Sequence, residues 1–182
     1  LDALLRKHDA GRDVRVALPD DERGRRAIAH LREVVPETVN ELVSERKRAD
    51  PGVRKVAGDM VVPFDRLEEM LGHYRSAFAR RGLDSAIWGH VSDGNVHANV
   101  LARSSADARS GDEALLELGD MARSLGGAPL SEHGVGKSPT KQRLLRAFLG
   151  DQAITDMART KKALDPRGIL APGNIFPRDT LE

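Results

Sequence analysis

The chain has 182 residues, room for one domain or two small lobes around a shared core, and its 29 basic and 28 acidic side chains nearly cancel. That balance leaves no concentrated basic face for nucleic acid, and the charges interleave along helical stretches as solvated surface does. Cysteine is absent, no apolar run reaches the length of a membrane span and no secretory signal is visible; this excludes disulfides and thiolate metal sites and points to a cytoplasmic setting, free in solution or peripheral to a membrane.

The opening "LDALLRKHDAG" has no methionine and reads as the middle of a helix, so a piece of a longer protein is expected. "VRVALP" (13–18) is short and β-branched, the pattern of a strand. A helix follows Asp20 and Asp21 with Ile28, Leu31 and Val35 on one face; Pro36 should end it and start a second, carrying Val39, Leu42 and Val43. "DMVVP" (59–63) reads as a strand, and Phe64, Leu67, Leu71, Tyr74 and Phe78 repeat at helical spacing up to Gly82. Ser110 and Glu113 fit a capping box for a helix striped by Leu115, Leu118, Met121, Ala122 and Leu125, which Gly126-Gly127 stop. Ser138 caps a helix with Pro139 at its first position, running to Gly150, and a last helix runs from Ile154 to Leu164. Strands separated by helices, with one tight hairpin, predict an α+β fold, and six aromatic side chains leave the core to aliphatic residues.

The hairpin is "IWGHVSDGNVHANV" (87–100). Asp93-Gly94 signals a two-residue type I′ turn, which would pair Ser92 with Asn95, Val91 with Val96, His90 with His97 and Trp88 with Asn99. Both imidazoles would then share a face with β-carbons roughly 5 Å apart, close enough to converge on one metal ion. The same pair can equally pack or sit in solvent, so a third ligand decides. Glu132 and His133, in the glycine-rich "GGAPLSEHGVGKSP" (126–139), are the candidates. Two histidines and a carboxylate leave an open position, the catalytic rather than the structural pattern. The same loop ends in Gly136-Lys137-Ser138 like a phosphate loop, but Ser131 stands where that pattern needs glycine.

Three ordered segments resemble one family. "GHVSDGNVH" is similar to its GHxGDGNxH motif, "GGAPLSEHGVG" to GGxxxGEHGxG and "LDPRGILAPGNIF" to the closing DPxGxxNPGK of the FAD-linked oxidase C-terminal domain, a family that includes D-lactate dehydrogenases, glycolate oxidase subunits and D-2-hydroxyglutarate dehydrogenases. The resemblance implies a ferredoxin-like antiparallel sheet with helices on one side, the cap domain of a two-domain flavoenzyme whose FAD is held mainly by an N-terminal domain absent from residues 1–182. It implies a divalent metal (Zn, Mn or Fe) on His90, His97 and Glu132, His133 as the base for the substrate hydroxyl, and Asn99 and Arg32 as substrate contacts. The implied partners are a small 2-hydroxy acid, the flavin-binding domain and an electron acceptor, with no nucleic acid and no membrane span.

Departures from the motifs are Ser92 and Ser131 for glycines, and Ala171 and Asn174 for the Asn and Lys of NPGK. Ala57 falls where the 2-hydroxyglutarate enzymes carry a carboxylate-binding lysine, with Lys55 two residues away, so D-lactate or glycolate is expected rather than a diacid. Two other readings stay open on the residues: a non-catalytic metal-binding interaction module, and a nucleotide-binding phosphate loop. The 182 residues alone are expected to be inactive.

Overall fold

The computed structural model describes residues 17–181, which divide into two compact units, one up to Leu42 and one from Val43. Of the strand expected over 13–18, residues 13–16 lie outside the described residues, and Ala17 and Leu18 carry no regular structure. One helix, α1 (Glu22–Ala49), replaces the two expected around Pro36. Proline removes one amide, the partner of the Arg32 carbonyl four residues back. Arg32 is exposed, so water can satisfy that carbonyl and the helix continues. Within the first unit, Ile28, Leu31 and Val35 are exposed rather than forming the expected core face, whereas Val39 is buried.

The second unit is built on an antiparallel sheet with β4 (Asn95–Val100) at its centre. β3 (Ser85–His90) lies along one edge. β1 (Val56–Ala57) and β2 (Met60–Val61) follow one another along the other edge, and their pairs Val56–Val100, Ala57–Asn99, Met60–Val96 and Val61–Asn95 keep one unbroken register. Asp59, in the gap between them, therefore falls opposite His97. Single bridges from Asp59 to Leu130 and from Val61 to Ala128 add a further chain segment outside β2. Strand, helix, hairpin, helix and edge segment follow in the order of a split βαβ unit.

Alternation along β4 gives its two faces opposite characters. Val96, Ala98 and Val100 join a core with α2 (Leu67–Ala79) and α3 (Ser105–Ser124), through Met70, Tyr74 and Phe78 on the first and Ala114, Leu115 and Leu118 on the second. Asn95, His97 and Asn99 point the other way and are also buried. The fold is thus α+β, as expected, and the face opposite the α2–α3 core is the one that carries polar chemistry.

Side-chain caps set the start of two helices. α3 starts at Ser105 because the Ser104 hydroxyl accepts from the Asp107 amide at 3.1 Å; the expected capping box of Ser110 and Glu113 instead lies inside the helix. α4 (Pro139–Leu149) is capped by Ser138 as expected, and α5 (Asp151–Leu164) begins three residues before Ile154.

Candidate metal and active site

The hairpin between β3 and β4 turns through Val91-Ser92-Asp93-Gly94, a single 3₁₀ turn followed by glycine in the left-handed region. The expected type I′ turn needs positive φ at both Asp93 and Gly94. Only Gly94 adopts it, at φ 69°, and its amide donates to the Val91 carbonyl at 3.1 Å. The loop thus has four residues, and the partners shift: His90 pairs with Asn95, Trp88 with His97 and Ala86 with Asn99. His90 does not face His97, and Trp88 does not face Asn99. A one-residue slip would have moved the whole set to the opposite face. This slip is two residues, so both imidazoles stay on one face as diagonal neighbours, with ring centroids 5.7 Å apart.

The second half of the site comes from the edge segment. Its bridges at Ala128 and Leu130 carry the chain along Val61 and Asp59, and the following loop turns back over the same face. Asp59 Oδ2 accepts from the His133 amide at 2.6 Å and the Ser131 amide at 3.4 Å, while Asn95 Nδ2 donates to Ser131 Oγ at 3.2 Å. These contacts deliver Glu132 and His133 beside the hairpin histidines.

Glu132 Oε1 is the focus. It lies 3.2 Å from His90 Nε2, 3.0 Å from His97 Nε2 and 3.6 Å from His133 Nε2. Asp59, His97, Glu132 and His133 each offer a ligand atom, all within 4.8 Å of one another, a group that does not include His90, which touches the site through Glu132. His97 and Asp59 form the buried floor, with side chains 7 % and 1 % exposed, and His90, Glu132 and His133 form an open rim. The His133 ring tilts over that of His97 at a centroid distance of 4.2 Å.

Burial, reinforced by the neighbouring His133, holds the His97 imidazole below its ordinary pKa, although Asp59 and Glu132 pull the other way. A neutral ring at neutral pH leaves a nitrogen lone pair available for a cation. Burial likewise lowers the Lys141 ammonium, which donates to the Gly134 carbonyl at 2.9 Å and helps hold the loop closed.

Of the residues singled out in the sequence, His90, His97, Glu132 and His133 come together here. Asn99 sits on the same face, buried, with its Nδ2 donating to the His97 carbonyl at 3.0 Å and its Oδ1 without a partner. Arg32 stands exposed on α1 in the other unit. Sequence reading missed Asp59. Its signal was a lone carboxylate inside the apolar run "GDMVVP", where a half-buried strand has no reason for a charge.

Residues 1–175 match the family model described as FAD linked oxidases, C-terminal domain. The chain belongs to this family. Among curated relatives it is 30% identical over 151 residues to the mitochondrial "D-lactate dehydrogenase [cytochrome]" of Arabidopsis thaliana, covering 78% of this chain and 26% of the relative. It is 32% identical over 123 residues to "Glycolate oxidase subunit GlcD" of Bacillus subtilis (strain 168), covering 66% of this chain and 26% of that protein. It is 29% identical over 171 residues to the mitochondrial "D-2-hydroxyglutarate dehydrogenase" of Bos taurus, covering 93% and 29%. The matched regions thus span roughly a quarter of each relative's length.

Proposed function

We propose that this FAD-linked oxidase domain is the metal- and substrate-binding cap of an FAD-dependent oxidoreductase acting on a small D-2-hydroxy acid, D-lactate or glycolate in type. The observation that carries the reading is Glu132 Oε1 with imidazole Nε2 atoms at 3.0 and 3.2 Å. Donors bound at about 2.1 Å in a tetrahedron stand about 3.4 Å apart, so these two contacts and the donor chemistry fit a divalent ion. His90, His97 and Glu132 would hold it, and imidazole with carboxylate suits zinc, manganese or iron. Such an ion lowers the pKa of a coordinated hydroxyl and fixes the substrate's orientation. FAD, held outside these 182 residues, supplies the hydride acceptor.

The chain's own residues do the rest. His133 Nε2, on the open rim, takes the proton from the substrate hydroxyl, and the Asp59 contact to its backbone amide keeps the ring beside the ligand set. Asn99 Oδ1, buried without a partner, accepts a hydrogen bond from substrate. Ala57 faces Asn99 across the sheet on this same side. A methyl group there offers no charge to a second carboxylate, which favours a monoacid.

Calorimetric titration of the 182-residue chain with zinc tests the site. One ion should bind, and His90→Ala or Glu132→Gln should weaken it by roughly 100-fold, about 2.7 kcal/mol. Binding that ignores both substitutions would sink the assignment.

A further inference from the structure

Four buried polar atoms on the site face lack a hydrogen-bond partner: Asp59 Oδ1, Asn95 Oδ1, His97 Nδ1 and Asn99 Oδ1. Asn99 Oδ1 serves the reading above, and Asp59 Oδ1 and His97 Nδ1 face each other. They are 3.5 Å apart, on residues that the unbroken β1–β4–β2 register sets directly opposite. Neutral histidine carries one ring proton. Placed on Nε2, it donates to Glu132 Oε1 at 3.0 Å, a rim carboxylate that water can also satisfy, but it leaves Asp59 Oδ1 against a nitrogen lone pair, two buried acceptors without a donor. Placed on Nδ1, it points a donor at Asp59 Oδ1 across 3.5 Å and leaves the Nε2 lone pair on the open rim, where water or a cation can meet it. An unsatisfied buried group costs about 1–3 kcal/mol whereas the exposed Glu132 keeps its water, which favours the second tautomer.

We propose that Asp59 is a positioning residue: its Oδ1 fixes His97 as the Nδ1–H tautomer, and its Oδ2 pins the loop that presents Glu132 and His133. This rests on the metal-site reading, because the tautomer matters for function only if Nε2 is a ligand. Both oxygens must accept, one from the His97 ring and one from the His133 amide at 2.6 Å. Asparagine cannot replace it. Its single oxygen can serve the His133 amide, and its NH₂ then donates to His97 Nδ1, which drives the ring proton to Nε2 and removes the ligand lone pair. A carboxylate behind a ligating histidine also raises the ligand's basicity, and losing such a partner commonly weakens metal binding roughly 10- to 100-fold.

The test joins two readouts on the 182-residue chain. Long-range ¹H–¹⁵N spectra of the metal-free protein should report His97 protonated at Nδ1 in the wild type and at Nε2 in Asp59→Asn. Zinc titration should show the variant weakened roughly 10- to 100-fold. Wild-type protein with His97 protonated at Nε2 overturns the proposal without any variant, and so covers a variant that fails to fold. Unchanged zinc affinity and tautomer in Asp59→Asn overturn it while the metal site stands. If zinc does not bind the wild type but the tautomer switches as described, Asp59 keeps its positioning role and the metal reading fails alone.

Discussion

Gly94 decides where the hairpin turns. An added β-carbon there would lie 1.9 Å from the Val62 carbonyl oxygen, and the backbone is left-handed at φ 69°. The Val62 amide meanwhile donates to the Gly94 carbonyl at 3.1 Å, so the turn is tied to the residue after β2 as well as to its own strands. Gly94→Ala should lower the unfolding free energy by at least about 2 kcal/mol, one part from left-handed strain and the larger part from collision with backbone. Urea denaturation measures it, and an unchanged midpoint would show that the turn is not held this way. The same residue explains why Asp93 stayed in the right-handed region: once Gly94 alone supplies the reversal, a four-residue loop closes without a second positive φ.

Among the elements, the C-terminal turn depends on one carboxylate. Asp165, which follows α5, accepts from Lys161 Nζ at 2.7 Å and the Leu170 amide at 2.9 Å through Oδ2, and from the Ile169 amide at 3.1 Å through Oδ1. The Lys161 bond above all, then those amides, hold its pKa below the ordinary value, against the opposing effect of burial. The unfolded chain therefore binds the proton at a higher pH than the folded one. The contribution is fully present above the unfolded value of 3.8 and is lost as pH falls through the lower, folded pKa. Asp165→Asn should be less stable than wild type at neutral pH, and the gap should narrow on acidification below that value. A gap that stays constant into strong acid would refute it. α1 shows the opposite situation: Pro36 breaks a local rule at an exposed position, where the orphaned carbonyl still has water, and the helix persists.

For the whole molecule, the polar face of the sheet is half of a chemistry. No helix among the described residues is long and apolar enough to cross a membrane. On the proposed reading the 182 residues hold the ion and the proton acceptor but not the flavin. Purified alone, the chain should therefore bind zinc while showing no flavin absorbance, and should not oxidise D-lactate when FAD is added. A yellow protein with turnover would place the flavin site within it and overturn that division of labour.

The sequence by itself determined the helical stripes, the existence of the hairpin, the family and four residues of the site, His90, His97, Glu132 and His133. Each of these rests on spacing within a short window or on a motif read in order, and local periodicity carries both. Only the tertiary structure decided the partner of His97. The turn's true length follows from its contact with Val62, and Asp59 reaches its place because two short strands share one register along β4. Strand pairing joins residues far apart in the chain, so nothing in the letters around "GDMVVP" says which imidazole its carboxylate will face.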